Sequence, residues 1–251
     1  MKENNIVIVV PCYNEELRFH EAYFSELIKL NNSRWIFVND GSTDKTGEIL
    51  ALLSSKQEIH VLKLDINQGK SEAIRKGLLF AHELYPEAAW YGYLDSDSAF
   101  DISDIKKIIG LTTQDDKLID AYFSSRVRLN GRTVIRKTYR HLIGRLLITS
   151  FSIYWRSIPY DTQSGYKLFK ANDYFFDSIK TKFKTKWFID IEITVRMSRN
   201  KKILISIWEE PLSKWKDIGG SKITLIKVFY IIYEIMFIHY TLFRNRLMLK
   251  E

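Results

Sequence analysis

Short apolar runs alternate with amphipathic segments through the first hundred residues, and this alternation limits the possible folds more than any other feature. Four runs rich in Ile, Val, Trp and Tyr predict strands, over residues 6–10, 35–39, 59–65 and 90–95. Apolar residues at helical spacing predict the intervening helices, over residues 15–30, 43–53 and 70–85. Such alternation predicts an α/β fold with a mainly parallel, twisted sheet and helices on both faces.

The rest of the chain extends this domain without a linker or a repeat. It contains one predicted strand at 121–125, a basic amphipathic stretch at 134–154 and a glycine-containing segment at 161–171. A helix at 187–199 and an apolar strand at 203–208 are predicted to follow. We therefore expect one α/β domain over residues 1–222 and an amphipathic helical tail over residues 223–251.

The tail contains 21 mostly apolar residues, 223–243, interrupted by Lys227, Glu234 and His239. That length is enough to span a bilayer, but three ionisable side chains argue against a span exposed to lipid. The polar positions fall on one helical stripe, formed by Lys227, Tyr230, Glu234 and Thr241. This pattern predicts an amphipathic helix that lies in a membrane interface, and a helix packed on the domain or in a dimer is the alternative.

Charge divides the chain of 251 residues into two parts. Residues 1–100 carry 10 basic and 15 acidic side chains, whereas residues 101–251 carry 28 and 15. The two parts should therefore meet different partners, and the absence of a recognition motif argues against nucleic acid.

The single cysteine, Cys12, excludes an internal disulfide and a cysteine-rich metal site. We see no export signal and expect a cytoplasmic location.

Acidic residues recur where the predicted strands end, at Asp40, Asp65, Asp95 and Asp97. One such aspartate usually caps a helix or forms a turn, but several at one sheet edge predict a ligand site, because α/β ligands bind beyond the carboxyl ends of the strands. In Asp95-Ser96-Asp97, one carboxylate can reach a ligand while the other holds a hard divalent cation.

Several strings together resemble one known family. VPCYNEE at 10–16, FVNDGSTDKT at 37–46, NQGKSEAIRKG at 67–77 and YLDSDSAF at 93–100 are similar to the nucleotide-sugar motifs of family-2 glycosyltransferases. SRVRLNG at 125–131, DTQSGYKLF at 161–169, FIDIE at 188–192 and WKDIGGSK at 215–222 resemble its dolichyl- and polyprenyl-phosphate glucosyl- and mannosyltransferase branch. The resemblance covers about residues 6–222 and leaves out the tail.

The resemblance implies the fold called GT-A and a nucleoside diphosphate sugar as the donor. It places the nucleotide on Pro11, Tyr13, Glu15, Asp40, Lys70, Asp95 and Ser96, and Mg²⁺ or Mn²⁺ on Asp97. Arg126, with Arg136 or Arg140, would neutralise the departing diphosphate, and Ser221 and Lys222 resemble an element on the acceptor-phosphate side. Arginine suits this role because its forked donors match phosphate oxygens.

Two departures from the family pattern favour the glucosyl-like branch. Asn39 stands where the family often has a further aspartate, and Ala99 stands where mannosyltransferase relatives can carry another metal ligand. The sequence thus predicts an inverting, metal-dependent transfer of a hexose from a UDP-sugar to a polyprenyl phosphate, by an enzyme peripherally attached to the inner face of a membrane.

Two alternatives stay open at this stage. If the acceptor is a hydroxyl of a glycan, Asp161 or Asp190 is the candidate base, whereas a phosphate acceptor needs cations rather than a base, because it is already ionised at neutral pH. Asp190 and Glu192 can instead orient basic neighbours. A non-catalytic protein that binds nucleotide sugars or acts as a membrane scaffold is the other alternative, and the intact acidic motif argues against it.

Overall fold

A seven-stranded sheet forms the centre of the molecule. The computed structural model describes residues 6–30, 32–114, 118–135, 138–155, 158–201, 204–216 and 225–244. The strand order is β3-β2-β1-β4-β7-β5-β8. The strands are β1 (Ile6–Cys12), β2 (Ser33–Asp40), β3 (His60–Leu64), β4 (Trp90–Leu94), β5 (Ala121–Ser125), β7 (Tyr166–Lys170) and β8 (Ile207–Pro211). Strands β1 to β4 are parallel, which confirms the predicted sheet.

Helices cover both faces of this sheet, as predicted. They are α1 (Glu21–Ile28), α2 (Thr46–Lys56), α3 (Lys70–Leu84), α4 (Ile102–Leu111), α5 (Thr138–Ser152), α6 (Asp173–Ile179), α7 (Ile189–Lys201) and α8 (Leu225–Arg244). Helices α1, α2 and α4 bury side chains such as Phe24 and Leu50 on one face. Helices α3, α6 and α7 bury Ile74, Phe175 and Ile193 on the other. Because β1 alternates its side chains between the two cores, it is buried on both sides.

Strand β7 is the main feature that the sequence pattern did not predict. It lies in the glycine-containing segment 161–171 and runs antiparallel between β4 and β5. The predicted strand at 203–208 is also displaced, since β8 begins only at Ile207 and pairs with β5.

One predicted helix and the basic stretch differ from the elements that the structure has there. Helix α1 begins at Glu21 rather than at residue 15, because Glu15 belongs to a turn in which its N–H donates to Thr46 Oγ1 over 2.7 Å. The basic stretch 134–154 is divided between a short strand, β6 (Thr133–Ile135), and helix α5. Strand β6 pairs in parallel with β9 (Lys214–Lys216) in a second, two-stranded sheet.

The tail helix α8 packs on the domain. The side chains of its predicted polar stripe are not all exposed to solvent. Ile238 and Leu242 are buried against Phe151 and Trp155 from the neighbouring α5 segment. Glu234, predicted on the exposed stripe, is buried and accepts the N–H groups of Lys186 and Trp187 over 2.7 and 2.8 Å. The interior contact is therefore made by the face that includes Glu234. Within the described residues, no helix is long and apolar enough to cross a bilayer.

Candidate active site

One cavity of about 480 Å³ opens where β1, β2 and β4 end and α3 begins. Eight residues named from the sequence line it: Pro11, Tyr13, Glu15, Asp40, Lys70, Asp95, Ser96 and Asp97. Parallel strands bring these side chains together because their carboxyl ends meet at one sheet edge. Arg18 and Asn67 also line the cavity and were missed as site residues, although Asn67 belongs to one of the strings that carry the family resemblance.

Asp40 organises the loop that leads into α3. Its carboxylate accepts hydrogen bonds from the backbone N–H groups of Gln68 and Gly69, both over 2.8 Å, and from Asn67 Nδ2 over 3.1 Å. The next residue, Gly41, has a φ of +64°, and a Cβ there would lie 2.4 Å from the backbone of residues 66 and 67. The end of β2 and the cavity rim are thus held together by one buried carboxylate and one glycine.

Glu15 presents a buried carboxylate at the same edge. Its Oε1 accepts from Arg18 Nη2 over 2.8 Å, while its Oε2 is buried without a hydrogen-bond partner among the described residues. A buried carboxylate oxygen that faces a cavity is stabilised by any donor that enters it, such as a hydroxyl or an N–H group of a ligand.

Asp95 and Asp97 form the acidic floor of the cavity. Lys70, the first residue of α3, places its Nζ 2.6 Å from Asp95 Oδ1. Burial, followed by the charge of Asp95, raises the pKa of Asp97, and the N–H of Ala99 donates to Asp97 over 3.2 Å. Two nearby carboxylates whose charge is only partly compensated attract a cation.

A divalent cation fits this floor on the chemistry of its donors. Carboxylate oxygens are the ligands that Mg²⁺ and Mn²⁺ prefer, and Mg²⁺ is usually held by one or two carboxylates together with substrate phosphates and water. Within the described part of the chain, no three His, Cys, Asp or Glu side chains cluster as a complete metal cage. The remaining ligands would therefore come from diphosphate oxygens and water.

Arg126 and Asp161 form a bidentate ion pair at the end of β5. Arg126 Nε and Nη2 lie 2.7 and 2.8 Å from the two carboxylate oxygens, and the backbone N–H of Arg126 also donates to Asp161. The guanidinium lies 5.0 Å above the Trp215 ring. On the other side, Glu209 accepts the N–H groups of Tyr160 and Asp161, each over 2.7 Å. The pair is therefore fixed in a defined orientation.

A second cavity, of about 640 Å³, begins at Ser98, next to Asp97. The two-stranded sheet forms one wall with Ile135, Lys214, Trp215 and Lys216. Trp215 thus lines this cavity, and the guanidinium of Arg126 lies over its ring. The cavity combines apolar walls with two lysines and two carboxylates, Glu26 and Asp101, and Lys214 Nζ lies 3.6 Å from Asp101 Oδ2.

Asp190 lies in the interior rather than on the cavity floor. It is buried, it accepts a hydrogen bond from the Tyr93 hydroxyl, and Lys167 Nζ lies 2.9 Å from its Oδ1. Lys167 is completely buried, and its ammonium also donates to the carbonyl of Ser164. Sequence reasoning missed Lys167, although a charged residue inside an apolar strand run was a usable signal.

The loop before β7 joins these groups to the acidic floor. The N–H of Asp95 donates to the carbonyl of Gly165 over 2.9 Å. A Cβ on Gly165 would lie only 2.3 Å from Asp95 Cγ. Only glycine allows the loop to approach the carboxylate this closely.

Four predicted site residues have side chains outside the described structure. Arg136, Ser221 and Lys222 are themselves outside it, and Arg140 lies in α5 with an undescribed side chain. Their predicted roles stay predictions. Glu192, the partner of Asp190 in the FIDIE string, accepts the N–H groups of Lys184 and Thr185 and pairs with Arg196 over 2.7 Å, so it orients its basic surroundings.

Comparisons with known proteins show which sequences and folds are similar to this chain. A dolichyl-phosphate beta-glucosyltransferase of Dictyostelium discoideum is 26% identical over 86% of this chain and 68% of its own length. Another from Trichomonas vaginalis is 31% identical over 86% of this chain and 65% of its own length, so the chain spans about two thirds of these relatives.

Among solved structures, a glucosyl-3-phosphoglycerate synthase of Mycobacterium tuberculosis, in complex with Mn²⁺, UDP and glucosyl-3-phosphoglycerate, superposes with a TM-score of 0.66. It is 16% identical, and the match covers 95% of this chain and 80% of that one, which shows the shared GT-A-like fold. The model of glycosyl transferase family 2 matches residues 7–188. The chain therefore belongs to glycosyl transferase family 2.

Proposed function

We propose that the protein transfers a hexose from a UDP-sugar to a polyprenyl phosphate, and that this hexose is glucose. One observation carries this proposal: the carboxyl ends of β1, β2 and β4 bring all seven predicted nucleotide contacts and Asp97 into one cavity. Family membership supports sugar transfer, and the names of the relatives support a lipid phosphate acceptor and glucose.

The donor is proposed to lie in the cavity of about 480 Å³, with its nucleoside against Tyr13, Glu15 and the loop held by Asp40. The unpartnered Oε2 of Glu15 would accept a hydroxyl or an N–H of the nucleoside. Lys70 would exchange part of its contact with Asp95 for the diphosphate. A Mg²⁺ or Mn²⁺ ion on Asp97 would supply charge neutralisation for the diphosphate.

The acceptor is proposed to approach from the second cavity, which Trp215 links to Arg126. An oxygen of its phosphate would attack the anomeric carbon as the bond from that carbon to the diphosphate oxygen breaks, so UDP leaves and the configuration inverts. Arg126, held by Asp161, would face the charge that develops on the leaving group. Arg140 and Lys222 are proposed to add cations on the diphosphate and acceptor sides.

The contacts of the two candidate bases support a phosphate acceptor over a hydroxyl. Asp161 binds Arg126 through both oxygens, and Asp190 pairs with Lys167 in the interior. A phosphate needs no such base, because its second pKa is about 6. We therefore assign Asp161 and Asp190 to positioning. The protein is proposed to work at the inner face of a membrane, where a lipid phosphate is found, as a peripheral cytoplasmic enzyme.

The decisive experiment incubates the purified protein with undecaprenyl phosphate, Mg²⁺ or Mn²⁺, and a panel of nucleotide sugars. We expect a glucosylated lipid from UDP-glucose and no product without a divalent cation. Transfer only to glycan hydroxyls, with a rate that titrates and is lost in Asp161→Asn, would establish the hydroxyl acceptor instead. Binding of UDP-sugars without transfer or hydrolysis would establish a non-catalytic binding protein.

A further inference from the structure

The outward face of α8 is a continuous apolar stripe. Phe229 is 73% exposed and Met236 is 66% exposed, and the exposed positions recur at helical spacing. The stripe consists of Phe229, Tyr233, Met236, Tyr240 and Phe243. Large side chains exposed singly are ordinary, but five on one helix face form a patch that marks an interaction surface.

Helix α5 continues this patch. Leu142 and Leu146 of α5 are exposed, and so is Ile153, which directly follows this helix. The two helices lie side by side, because Ser150 Oγ lies 3.1 Å from His239 Nε2 and the rings of Tyr154 and Phe243 are 6.3 Å apart. Both helices bury other side chains in one apolar cluster, and we call their exposed apolar side chains together the apolar face.

A row of exposed lysines reaches α8 at Lys186. Lys182, Lys184 and Lys186 are exposed, while Phe183 and Thr185 between them are buried. This lysine row is tied to α8, since Glu234 accepts the N–H of Lys186 and the Lys186 ammonium lies 5.7 Å above the Tyr230 ring. Arg244 is exposed at the other end of the helix.

The charges identify the occupant of this surface. Among the described side chains of α5 and α8, the only carboxylate is Glu234, and it is buried. A second copy of the chain would bring lysine rows and apolar faces together without acidic partners. An anionic bilayer instead offers phosphates to the lysines and a hydrocarbon boundary to the aromatic and aliphatic side chains. We propose that the apolar face and the lysine row together dock on an anionic lipid bilayer.

This inference rests on the proposed function, because docking would bring the enzyme to the bilayer in which a lipid-linked acceptor resides. The docking itself needs neither the donor nor the acceptor. Binding to vesicles without substrates therefore tests the surface, whereas transfer to a water-soluble, short-chain prenyl phosphate tests the proposed reaction. Failure of one experiment does not imply failure of the other.

The first experiment measures flotation of the full chain with phosphatidylcholine vesicles containing 30% phosphatidylglycerol. Phe229→Ser/Met236→Ser should reduce the affinity at least tenfold, because both side chains lose apolar area that enters the bilayer. The matched control Leu52→Ser/Leu84→Ser removes exposed apolar side chains from α2 and α3 and should bind as the unaltered protein does. Equal loss in both variants would overturn the role of the apolar face.

The second experiment replaces the lysine row. Lys182→Gln/Lys184→Gln/Lys186→Gln should weaken binding to anionic vesicles about 100-fold and remove most of its salt dependence. Replacement of three exposed lysines elsewhere, Lys29, Lys63 and Lys106, by glutamine is the matched control and should have a small effect. Equally tight binding to vesicles of pure phosphatidylcholine would contradict the requirement for anionic lipid.

Sedimentation velocity without lipid completes the test. We expect a monomer that does not change in the Phe229→Ser/Met236→Ser variant. A dimer that this variant dissociates, in a protein that does not bind vesicles, would show that the apolar face joins two copies of the chain and would overturn the proposal.

Discussion

Lys167 Nζ lies 2.9 Å from Asp190 Oδ1 inside the sheet, and the lysine has no exposed surface. Burial lowers the pKa of Lys167 to about 7 and raises that of Asp190 to about 8. Both groups are thus pushed towards their neutral forms by the same cause, removal from water. The pair links β7, through Lys167, to α7, through Asp190.

The pair predicts an unusual dependence of stability on pH. From about pH 4 to 8 the folded Asp190 holds a proton that the unfolded chain has lost, so its contribution to the free energy of unfolding falls as the pH rises. From about pH 7 to 10.5 the unfolded chain holds a proton that the folded Lys167 has lost, so that contribution rises with pH. Chemical denaturation of Lys167→Met/Asp190→Asn should show a flatter profile than the unaltered protein. Parallel profiles would contradict this prediction.

Replacement of one partner alone should be more damaging than replacement of both. Lys167→Met removes a hydrogen-bond partner of the buried Asp190 carboxyl, and a buried polar group that loses its partner costs about 1–3 kcal/mol. We expect the single variant to unfold at a lower denaturant concentration than the double variant. If the double variant is the less stable of the two, the two side chains do not act as a pair.

Asp97→Asn should lower kcat/KM about 100-fold or more and weaken the binding of Mn²⁺ in the presence of UDP. The reason is that the amide carries no charge for the cation that we place there. Calorimetric titration of Mn²⁺ gives a readout that is independent of turnover. Asp173→Asn, an exposed substitution in the first turn of α6, is the control and should leave both quantities unchanged. Transfer at the original rate by Asp97→Asn would remove Asp97 from the metal site.

Asp40→Ala should raise the KM for the donor about tenfold or more and lower the thermal midpoint. The substitution leaves the N–H groups of Gln68 and Gly69 without their acceptor, so the loop at the cavity rim loses its support. Asp65→Ala is the matched control, because Asp65 also follows a strand but is exposed. An equal change in KM for both variants would show that the loop does not depend on Asp40.

Arg126→Lys should lower kcat about 100-fold while the KM for the donor changes little. A lysine supplies one point charge where the guanidinium supplies two aligned donors to Asp161, so the cation would no longer be held in the orientation we propose for catalysis. Arg34→Lys also alters an arginine ion pair, with Glu87, and should leave kcat unchanged. A rise in KM without a fall in kcat would place Arg126 in donor binding instead.

The sequence predicted those residues of the cavity whose positions follow from short, contiguous patterns along the chain. Strands β1, β2 and β4 each form from a contiguous apolar run, and parallel pairing then brings Asp40, Asp95 and Glu15 to one edge. The family motifs added Lys70 and Arg126. Hydrophobic periodicity alone does not identify these two residues.

The features that were missed depend on contacts between distant segments. Lys167 is buried because Asp190, 23 residues away, and Tyr93 from another strand surround it. Glu234 is buried because it accepts two N–H groups from residues 186 and 187, although its helical spacing predicted an exposed position. Periodicity identifies the two faces of a helix, but tertiary hydrogen bonds decide which face is covered.

The close approach of Gly165 to Asp95 restricts how this protein can be altered by design or by natural variation. Any side chain at position 165 would push the carboxylate and the loop apart, since a methyl group would lie 2.3 Å from Asp95 Cγ. The acidic floor and the segment that carries Asp161 are therefore held in contact at this glycine. Grafting a different acceptor segment onto this scaffold should succeed only when the graft keeps a residue without a side chain at that position.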